Sequence, residues 1–201
     1  AMGEGIITPT STIACGGSFT YGNRSFEDHG AYGNINVTRA IEVSANVFYY
    51  KMGLAVGIDS YNKYGKMFGF GQKTGIDIPN ETSGLLPSKP YFDKRYGENK
   101  WTQGLLVSLG IGQGELGVSP VQMVAYTAAI AMSGLYCQPH FVSKIINTGN
   151  GGDEEVKFEQ RRIDMPQKYY DAVRYGMYLV VNGTGTAKNI KNSEFVLSGK
   201  T

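Results

Sequence analysis

Serine, asparagine and lysine residues at short, fixed spacings are the parts of this chain that are able to do chemistry. Ser-x-Asn occurs at Ser44 and at Ser60, Lys-Thr occurs at Lys73 and at Lys200, and the one Ser-x-x-Lys begins at Ser60. Acyl transfer through a serine needs an activated hydroxyl, a nearby amine or base, and donors for the substrate carboxylate and the developing oxyanion. Because each pattern is short, its position in the fold has to decide which one is functional.

The Ser-x-Asn pattern at Ser44 and Asn46 lies between two apolar segments. We predict a short helix over residues 38–43 and a buried helix over residues 46–54, since the second segment is almost wholly apolar. Two polar side chains at the break between the helices are able to leave the core and point into a cleft. Buried polar groups need hydrogen-bond partners, so either helix capping or a catalytic role accounts for Ser44 and Asn46.

Ser60 has a simpler interpretation. It follows Asp59, which is able to cap a helix that runs to Phe68. Lys63 then lies one turn along a solvated, capped helix start and not in a cleft. We therefore interpret Ser60 as structural and not as a nucleophile.

The Lys-Thr pattern at Lys200 and Thr201 is the better candidate of the two. It follows an apolar strand that we predict over residues 195–200, whereas Lys73 lies in a turn-rich loop. A strand edge projects a lysine and a hydroxyl beside the backbone that binds an extended peptide. Lys200 and Thr201 are therefore the predicted binding pair, and the pattern at Lys73 is rejected.

The remaining elements have to position these residues, and their hydrophobic patterns and turn signals predict most of them. We predict a Pro- and Gly-punctuated loop over residues 75–100, a buried strand and tight glycine turn over 105–117, a helix from Ser119 and Pro120 to Met132, a strand over 141–146, a polar hairpin or loop over 147–164, and an amphipathic helix over 166–181.

Composition limits the class of protein. The 201 residues suffice for one domain with a core, and a hydrophobic fraction of 41% with 18% charged residues is that of a globular protein. The 19 Lys and Arg residues against 17 Asp and Glu residues are scattered and give a net charge of +2, which argues against a nucleic-acid partner. No apolar run approaches the roughly 18 residues of a membrane-spanning helix.

Taken together, nearly the whole chain resembles the later part of a class B penicillin-binding protein transpeptidase domain, and most of all the elongation type, penicillin-binding protein 2. The resemblance rests on Ser44 to Asn46 and Lys200 to Thr201 and on further blocks in the same order along the chain. These blocks are residues 36–50, 68–79, 84–88, 110–122 and 180–187.

The resemblance implies an α+β fold of the β-lactamase and transpeptidase kind, in which helices flank an antiparallel sheet and form a helical lobe. It also implies that residues 1–201 are a truncated, partial transpeptidase domain. The helix that carries the Ser-x-x-Lys nucleophile is expected before Ala1, and further strands are expected after Thr201.

The resemblance further implies a peptidoglycan D,D-transpeptidase that cross-links stem peptides through a serine acyl-enzyme and binds β-lactams covalently. Ser44 would relay a proton, Asn46 would hydrogen-bond the donor peptide backbone, Lys200 would supply positive charge, and Thr201 would bind the terminal carboxylate. The nucleophile itself is not identified in this chain and is expected before Ala1. The 201 residues alone are therefore expected to be inactive.

The partners and location implied by the resemblance are those of cell-wall synthesis. Stem peptides and β-lactams are the expected ligands, a membrane-embedded glycan polymerase is the expected protein partner, and neither a cofactor nor nucleic acid is expected. The location is extracytoplasmic, in the periplasm, with the parent protein anchored in the inner membrane by a segment outside this chain.

A metal site is the one further possibility that the resemblance raises, because some members of the elongation type carry one before the Ser-x-Asn helix. Cys15, Asp28 and His29 are the available ligands, but their spacing matches no standard zinc pattern. Tyr32 stands where a helpful histidine is expected. We predict no metal.

Two other classes of function stay open at the level of sequence. The first is a β-lactamase or β-lactam sensor of the same fold, although the long loop over residues 75–104 fits a transpeptidase better. The second is a non-catalytic peptidoglycan-binding module that never had a nucleophile.

Overall fold

The computed structural model describes residues 1–146, 149 and 151–201. Within them, six α-helices and one short 3-10 helix alternate with short strands. The α-helices are α1 (Val37–Glu42), α2 (Asn46–Met67), α3 (Lys89–Tyr96), α4 (Gly104–Gly110), α5 (Pro120–Ala131) and α6 (Gln167–Asn182), and the 3-10 helix is Lys188–Ile190. The strands are β1 (Ile13–Cys15), β2 (Ser18–Tyr21), β3 (Arg24–Glu27), β4 (Gly33–Ile35), β5 (Leu135–Cys137), β6 (Lys144–Ile145), β7 (Glu154–Glu155) and β8 (Gln160–Arg162).

All of these strands pair in antiparallel, two-stranded sheets. The pairs are β1 with β4, β2 with β3, β5 with β8, and β6 with β7. The predicted mixture of helices with antiparallel strands is confirmed. No larger sheet is assembled by the residues that the structure describes.

The chain forms two compact units. The first unit contains Ala1–Asn62, Pro87–Leu116 and Met165–Thr201, and the second contains Lys63–Leu86 and Gly117–Asp164. The first unit holds both Ser44 and Lys200, so the candidate site lies within one unit.

The end of α1 is a Schellman motif, a helix ending in which two backbone N–H groups reach back to the last turn. Ser44 N–H donates to Ile41 O at 3.3 Å and Ala45 N–H donates to Ala40 O at 3.0 Å. Ser44 is the first residue after the C-cap Val43, and its φ of 55° lies in the left-handed region. Glycine usually occupies this position because a side chain there costs about 1–2 kcal/mol. The predicted break between two helices at Ser44 is therefore confirmed.

The core of the first unit is built from α1, the first half of α2, β1, β4 and α6. Its fully buried side chains include Ala40, Ala45, Val47, Phe48 and Val180. The predicted helix over residues 46–54 is confirmed and continues to Met67, with a kink at Gly57 where φ is 71° and ψ is 168°. A second cluster in this unit packs Ile58, Phe92, Leu106 and Leu109 together.

Helix α6 lies close against α1 because glycines remove side chains from the contact. A Cβ added at Gly176 would lie 2.8 Å from Ile41 Cβ, and one added at Gly185, in the turn after α6, would lie 2.8 Å from Glu42 O. Thr38 also donates its hydroxyl hydrogen to Ala172 O at 3.2 Å. These contacts fix the end of α6 next to the end of α1.

Helices α2 and α4 also meet through glycine. A Cβ added at Gly53 would lie 2.3 Å from Leu106 O, and one added at Gly110 would lie 2.3 Å from Tyr49 O. Since both neighbouring atoms are backbone carbonyl oxygens, no side-chain rotation relieves the clash. The two helices therefore pack backbone against backbone at this crossing.

The second unit is organised around the buried amide of Gln122 in α5. Ser119 caps the helix start, as the Ser119–Pro120 signal predicts, and the structure adds a reciprocal capping box between Ser119 and Gln122. Gln122 Nε2–H also donates to Gln72 O at 2.7 Å and to Ser83 O at 2.9 Å. One side chain thus caps a helix and holds two loop segments.

Two sequence predictions for the middle of the chain are wrong. The apolar run from residue 105 forms helix α4 and not a strand, because a short apolar run fits either element and packing against Gly53 selects the helix. The segment 75–100 is not wholly loop, because α3 lies within it with Ser88 as N-cap and Pro90 in the first turn.

The strand predictions in the last third of the chain are also corrected. Residues 195–200 form no strand, and in their place Gly199 N–H donates to Met177 O at 3.0 Å and Asn182 Nδ2–H donates to Leu197 O at 2.7 Å. An extended segment needs a neighbouring strand to form a ladder, and here its described partners belong to α6. The strand predicted over 141–146 is reduced to β6.

The predicted hairpin or loop over residues 147–164 contains β7 and β8 in its described part, and its residues 147, 148 and 150 lie outside the described residues. The helix predicted over 166–181 is confirmed as α6. Of the helices in the described part of the chain, none has the length and apolar character that crossing a bilayer requires.

Gly53→Ala tests the backbone crossing of α2 and α4. Alanine would gain about 1 kcal/mol of helix propensity, but overpacking against a fixed carbonyl costs about 1–3 kcal/mol, and the 2.3 Å approach puts this site at the upper end. We expect a net loss in the free energy of unfolding, measured by urea denaturation. Gly17→Ala is the control, because its Cβ meets nothing within 4 Å. Equal stability of the two variants would contradict the packing described here.

Candidate active site

The centre of the candidate site is the hydroxyl of Ser44, which the left-handed turn after α1 directs out of the core. Lys200 Nζ–H donates to Ser44 Oγ at 2.6 Å. Ser44 Oγ also lies 3.1 Å from Thr201 Oγ1 and 3.4 Å from Thr186 Oγ1, where either hydroxyl is able to donate. The structure therefore brings together three predicted site residues, Ser44, Lys200 and Thr201, and adds Thr186.

The Lys200 ammonium group makes two contacts in this cluster. Besides Ser44 Oγ, it donates to the backbone oxygen of Thr201. Lys200 is exposed as a whole residue, but burial around its ammonium group lowers the pKa of the side chain below the ordinary lysine value. A lowered pKa makes the ammonium group a better proton donor to Ser44.

Asn46 begins α2 and contacts a different part of the unit. Its Nδ2–H donates to Glu27 O at 3.5 Å, and the described hydrogen bonds of the Ser44 cluster do not include it. Val47 N–H, in the first turn of α2, donates to Asp28 Oδ2 at 2.7 Å. The helix start is therefore capped from outside by Asp28 and not by Ser44, whose hydroxyl is used in the Lys200 cluster.

A buried carboxylate ties the end of α1, two residues before Ser44, to the turn after α6. Glu42, the last residue of α1, is 5% exposed and lies 2.8 Å from the Arg39 guanidinium. It also accepts hydrogen bonds from Thr184 N–H at 2.9 Å and from the Thr184 hydroxyl at 3.0 Å. Burial alone would raise the pKa of Glu42, but the hydrogen bonds from Arg39 and Thr184 outweigh it and lower the pKa.

The competing copies of the motifs serve local structure. Asn62, from the second Ser-x-Asn, donates its Nδ2–H to Pro87 O at 2.9 Å. Thr74, which follows Lys73, donates to Glu81 Oε1 through its backbone N–H at 2.7 Å and through its hydroxyl at 2.6 Å. The rejection of both copies as site residues stays a prediction.

Two of the three potential metal ligands, Cys15 and Asp28, have other contacts. Cys15 is buried and its thiol contacts Ile13 O at 3.5 Å, while Asp28 accepts hydrogen bonds from Val47 N–H and from the backbone of His29. Among the described side chains, no group of three or more His, Cys, Asp or Glu residues is arranged to hold a metal ion.

Sequence reasoning missed Thr186 and Glu42. Both lie in blocks that the sequence analysis singled out, residues 180–187 and 36–50, but neither residue type at its position signals a site. The alternation of glycine and threonine at residues 183–186 is the available signal, since glycines at a helix end indicate a close approach.

Glu42→Gln tests the tie between α1 and the turn after α6. Replacing the carboxylate weakens its hydrogen bonds, and we expect a loss of about 1–3 kcal/mol in the free energy of unfolding. Because the pKa of Glu42 is lowered by folding, its contribution is fully present above the unfolded pKa of about 4.3 and is lost as pH falls through the lower folded value. The stability difference between the two proteins should therefore shrink below about pH 4.3, measured by denaturation at several pH values.

Glu155→Gln is the matched control, since Glu155 is exposed in a two-residue strand and its loss should change stability by less than about 0.5 kcal/mol. A pH-independent difference for Glu42→Gln would show that the carboxylate charge is not what holds the turn.

Lys200 provides a second test by titration. Nuclear magnetic resonance of labelled lysine side chains should show a midpoint below the ordinary value of about 10.4 that is absent from a Lys200→Met variant. Since the unfolded chain binds more protons between the two pKa values, the free energy of unfolding should rise with pH in that window. A midpoint at or above 10.4 would contradict burial of the ammonium group.

Comparison with known proteins gives the family. The family model described as "Penicillin binding protein transpeptidase domain" matches residues 1–201. A curated relative, "Peptidoglycan D,D-transpeptidase MrdA" of Haemophilus influenzae, is 32% identical over 209 residues, which cover 100% of this chain and 32% of the relative. The chain spans between a quarter and a third of the length of these curated relatives.

Two solved structures have the same fold as this chain. One is the complex between penicillin-binding protein 2 and MreC from Helicobacter pylori, with a TM-score of 0.82, 34% identity, and coverage of 97% of this chain and 36% of that chain. The other is Pseudomonas aeruginosa penicillin-binding protein 2 in complex with WCK 5153, with a TM-score of 0.82, 29% identity, and coverage of 98% of this chain and 45% of that chain. This chain belongs to the penicillin-binding protein transpeptidase domain family and is of the penicillin-binding protein 2 type.

Proposed function

We propose that this chain is part of a peptidoglycan D,D-transpeptidase that cross-links stem peptides through a serine acyl-enzyme. The observation that carries the proposal is the 2.6 Å hydrogen bond from Lys200 Nζ to Ser44 Oγ, with Thr201 Oγ1 3.1 Å from the same oxygen. An ammonium group and two hydroxyls in contact supply the proton path and the hydrogen-bond donors that acyl transfer needs. The names of the curated relatives support the same reaction.

The proposed roles follow from the contacts of each group. Lys200, with its lowered pKa, supplies positive charge and a proton that Ser44 relays. Thr201 binds the terminal carboxylate of the acyl donor through its hydroxyl. Asn46 binds the donor peptide backbone. Its present contact with Glu27 O is long, at 3.5 Å, so a peptide carbonyl or amide is able to compete for the side chain.

The proposed reaction has two steps. The serine oxygen of the nucleophile attacks the D-Ala–D-Ala carbonyl carbon, the C–N bond breaks, and D-Ala leaves with a proton. An amine of a second stem peptide then attacks the ester carbonyl, and the serine regains its proton as the new amide forms. A β-lactam reacts as in the first step, because the serine oxygen attacks the carbonyl carbon of the ring amide. The serine then stays acylated.

We place the nucleophilic serine in a part of the protein that the 201 residues do not contain. The chain matches only part of the length of its relatives, and Ser60 is a poor alternative. Ser60 lies within α2 in the turn that follows the kink at Gly57, and none of the described hydrogen bonds around Ser44 and Lys200 involves it. On this proposal the 201 residues alone do not react with penicillin.

The location and partners of the parent protein are part of the same proposal. Cell-wall synthesis takes place outside the cytoplasm, so we propose a periplasmic domain, an inner-membrane anchor elsewhere in the protein, and a membrane-embedded glycan polymerase as partner. Stem peptides are the proposed substrates. The alternatives are a β-lactamase or β-lactam sensor of the same fold and a non-catalytic peptidoglycan-binding module.

The test is labelling by a fluorescent penicillin. We expect the full-length protein to be acylated and to stay acylated, and the isolated 201 residues to remain unlabelled. In the full-length protein, Lys200→Met should slow acylation by about 100-fold or more because it removes the ammonium group that contacts Ser44.

Lys191→Met serves as the control, because Lys191 is an exposed lysine that follows the 3-10 helix. Rapid release of the label would favour a β-lactamase, and a full-length protein that takes up no label would favour the binding module. Labelling of the isolated chain would place the nucleophile within it and overturn the assignment.

A further inference from the structure

We propose that Thr186 is a positioning residue that orients the Thr201 hydroxyl for recognition of the acyl donor's carboxylate. This inference rests on the proposed function, because it assigns a specificity role within the same site. Thr186 Oγ1 forms a hydrogen bond with Thr201 Oγ1 and lies 3.4 Å from Ser44 Oγ. It is thus the one residue outside the recognised motifs whose side chain joins the described hydroxyl cluster.

The number of hydroxyl hydrogens explains why a third hydroxyl matters. Ser44, Thr186 and Thr201 share three mutual contacts, and their three hydroxyl hydrogens are able to fill all three in a ring. When a carboxylate arrives, it offers only acceptors, so Thr201 has to turn its hydrogen outward. Thr186 then donates its hydrogen to Thr201 Oγ1, which leaves the Thr201 hydrogen directed at the ligand. Without Thr186, Thr201 loses this fixed orientation.

The turn that carries Thr186 is held on both sides of the residue. Before it, Thr184 N–H donates to buried Glu42 Oε1 at 2.9 Å, and Gly185 lies so close to Val180 that a Cβ would clash at 2.4 Å. After it, buried Ala187 donates its N–H to Val180 O at 3.0 Å. The exposed Thr186 side chain is therefore presented from a backbone that α1 and α6 fix, as orientation of a hydroxyl requires.

Thr201 has less support of its own, so the orienting contact matters. Its segment is attached to α6 through the Gly199 N–H to Met177 O and Asn182 Nδ2–H to Leu197 O bonds, and no described strand lies beside residues 195–201. The hydroxyl contacts with Thr186 and Ser44 are the side-chain bonds described for Thr201. The turn that carries Thr186 thus positions Thr201, the last residue of a segment that has no neighbouring strand.

The experiment compares two substitutions of Thr186 in the full-length protein. Thr186→Val removes the hydroxyl and keeps the shape, whereas Thr186→Ser keeps the hydroxyl. The measured quantity is the second-order rate constant of acylation, for a penicillin with a free carboxylate and for its methyl ester. Thr184→Val is the matched control, because that hydroxyl bonds Glu42 and Arg39 and not the cluster.

We expect Thr186→Val to slow acylation by the free acid about three- to tenfold, the range of one neutral hydrogen bond. The ester rate should change by less than twofold, and Thr186→Ser should react like the parent. The ratio of acid to ester rates should therefore fall for Thr186→Val and stay unchanged for Thr184→Val, because only the first variant frees the Thr201 hydroxyl.

The results separate this proposal from the proposed function. A parent protein that is not acylated by either compound contradicts the proposed function itself. If the parent reacts but Thr186→Val keeps the parent's ratio of acid to ester rates, the positioning role is wrong. An equal slowing of acid and ester, together with a lower melting temperature, would assign Thr186 a structural role and overturn the inference. Thr186→Ser behaving like Thr186→Val would do the same.

Discussion

The close packing of α6 on α1 is the constraint on which the candidate site depends. Ser44 follows α1, Thr186 follows α6, and the segment that bears Lys200 is hydrogen-bonded to α6. The glycines at 176 and 185 allow the two helices to approach until a Cβ would not fit. If the helices separated by the width of a methyl group, the hydrogen bond between Lys200 and Ser44 would be lost. The chemistry of the site is therefore set by helix packing.

The conformation of Ser44 shows how the local fold serves this site. Its left-handed φ of 55° completes the Schellman motif, in which glycine would be easier to accommodate. The serine hydroxyl instead receives a hydrogen bond from Lys200 and contacts two threonine hydroxyls. Backbone strain of this kind persists where the surroundings fix it and is common at functional sites. Here the buried Ala40 and Ala45 on either side of the turn provide that support.

Two carboxylates fix the backbone on either side of Ser44. Glu42 ties the end of α1 to Thr184, and Asp28 accepts a hydrogen bond from Val47 N–H at the start of α2. The negative charge of Asp28 also suits the positive end of the helix dipole. The described contacts of the two carboxylates are with backbone N–H groups, the Thr184 hydroxyl and the Arg39 guanidinium. These contacts hold the turn, and the proposed reaction assigns neither Asp28 nor Glu42 a role as catalytic acid or base.

The sequence alone determined the break at Ser44, helix α6 and the cap at Ser119, because capping residues and apolar periodicity are local signals. Its resemblance to a known family implied the mixed fold and the candidate site residues Ser44, Lys200 and Thr201. Only the tertiary structure decided that the run from residue 105 is a helix, that the segment before Lys200 is held by α6 without a ladder, and that Thr186 joins the cluster. These outcomes depend on contacts between residues far apart in the chain, whose strength comes from packing geometry that residue type and spacing do not encode.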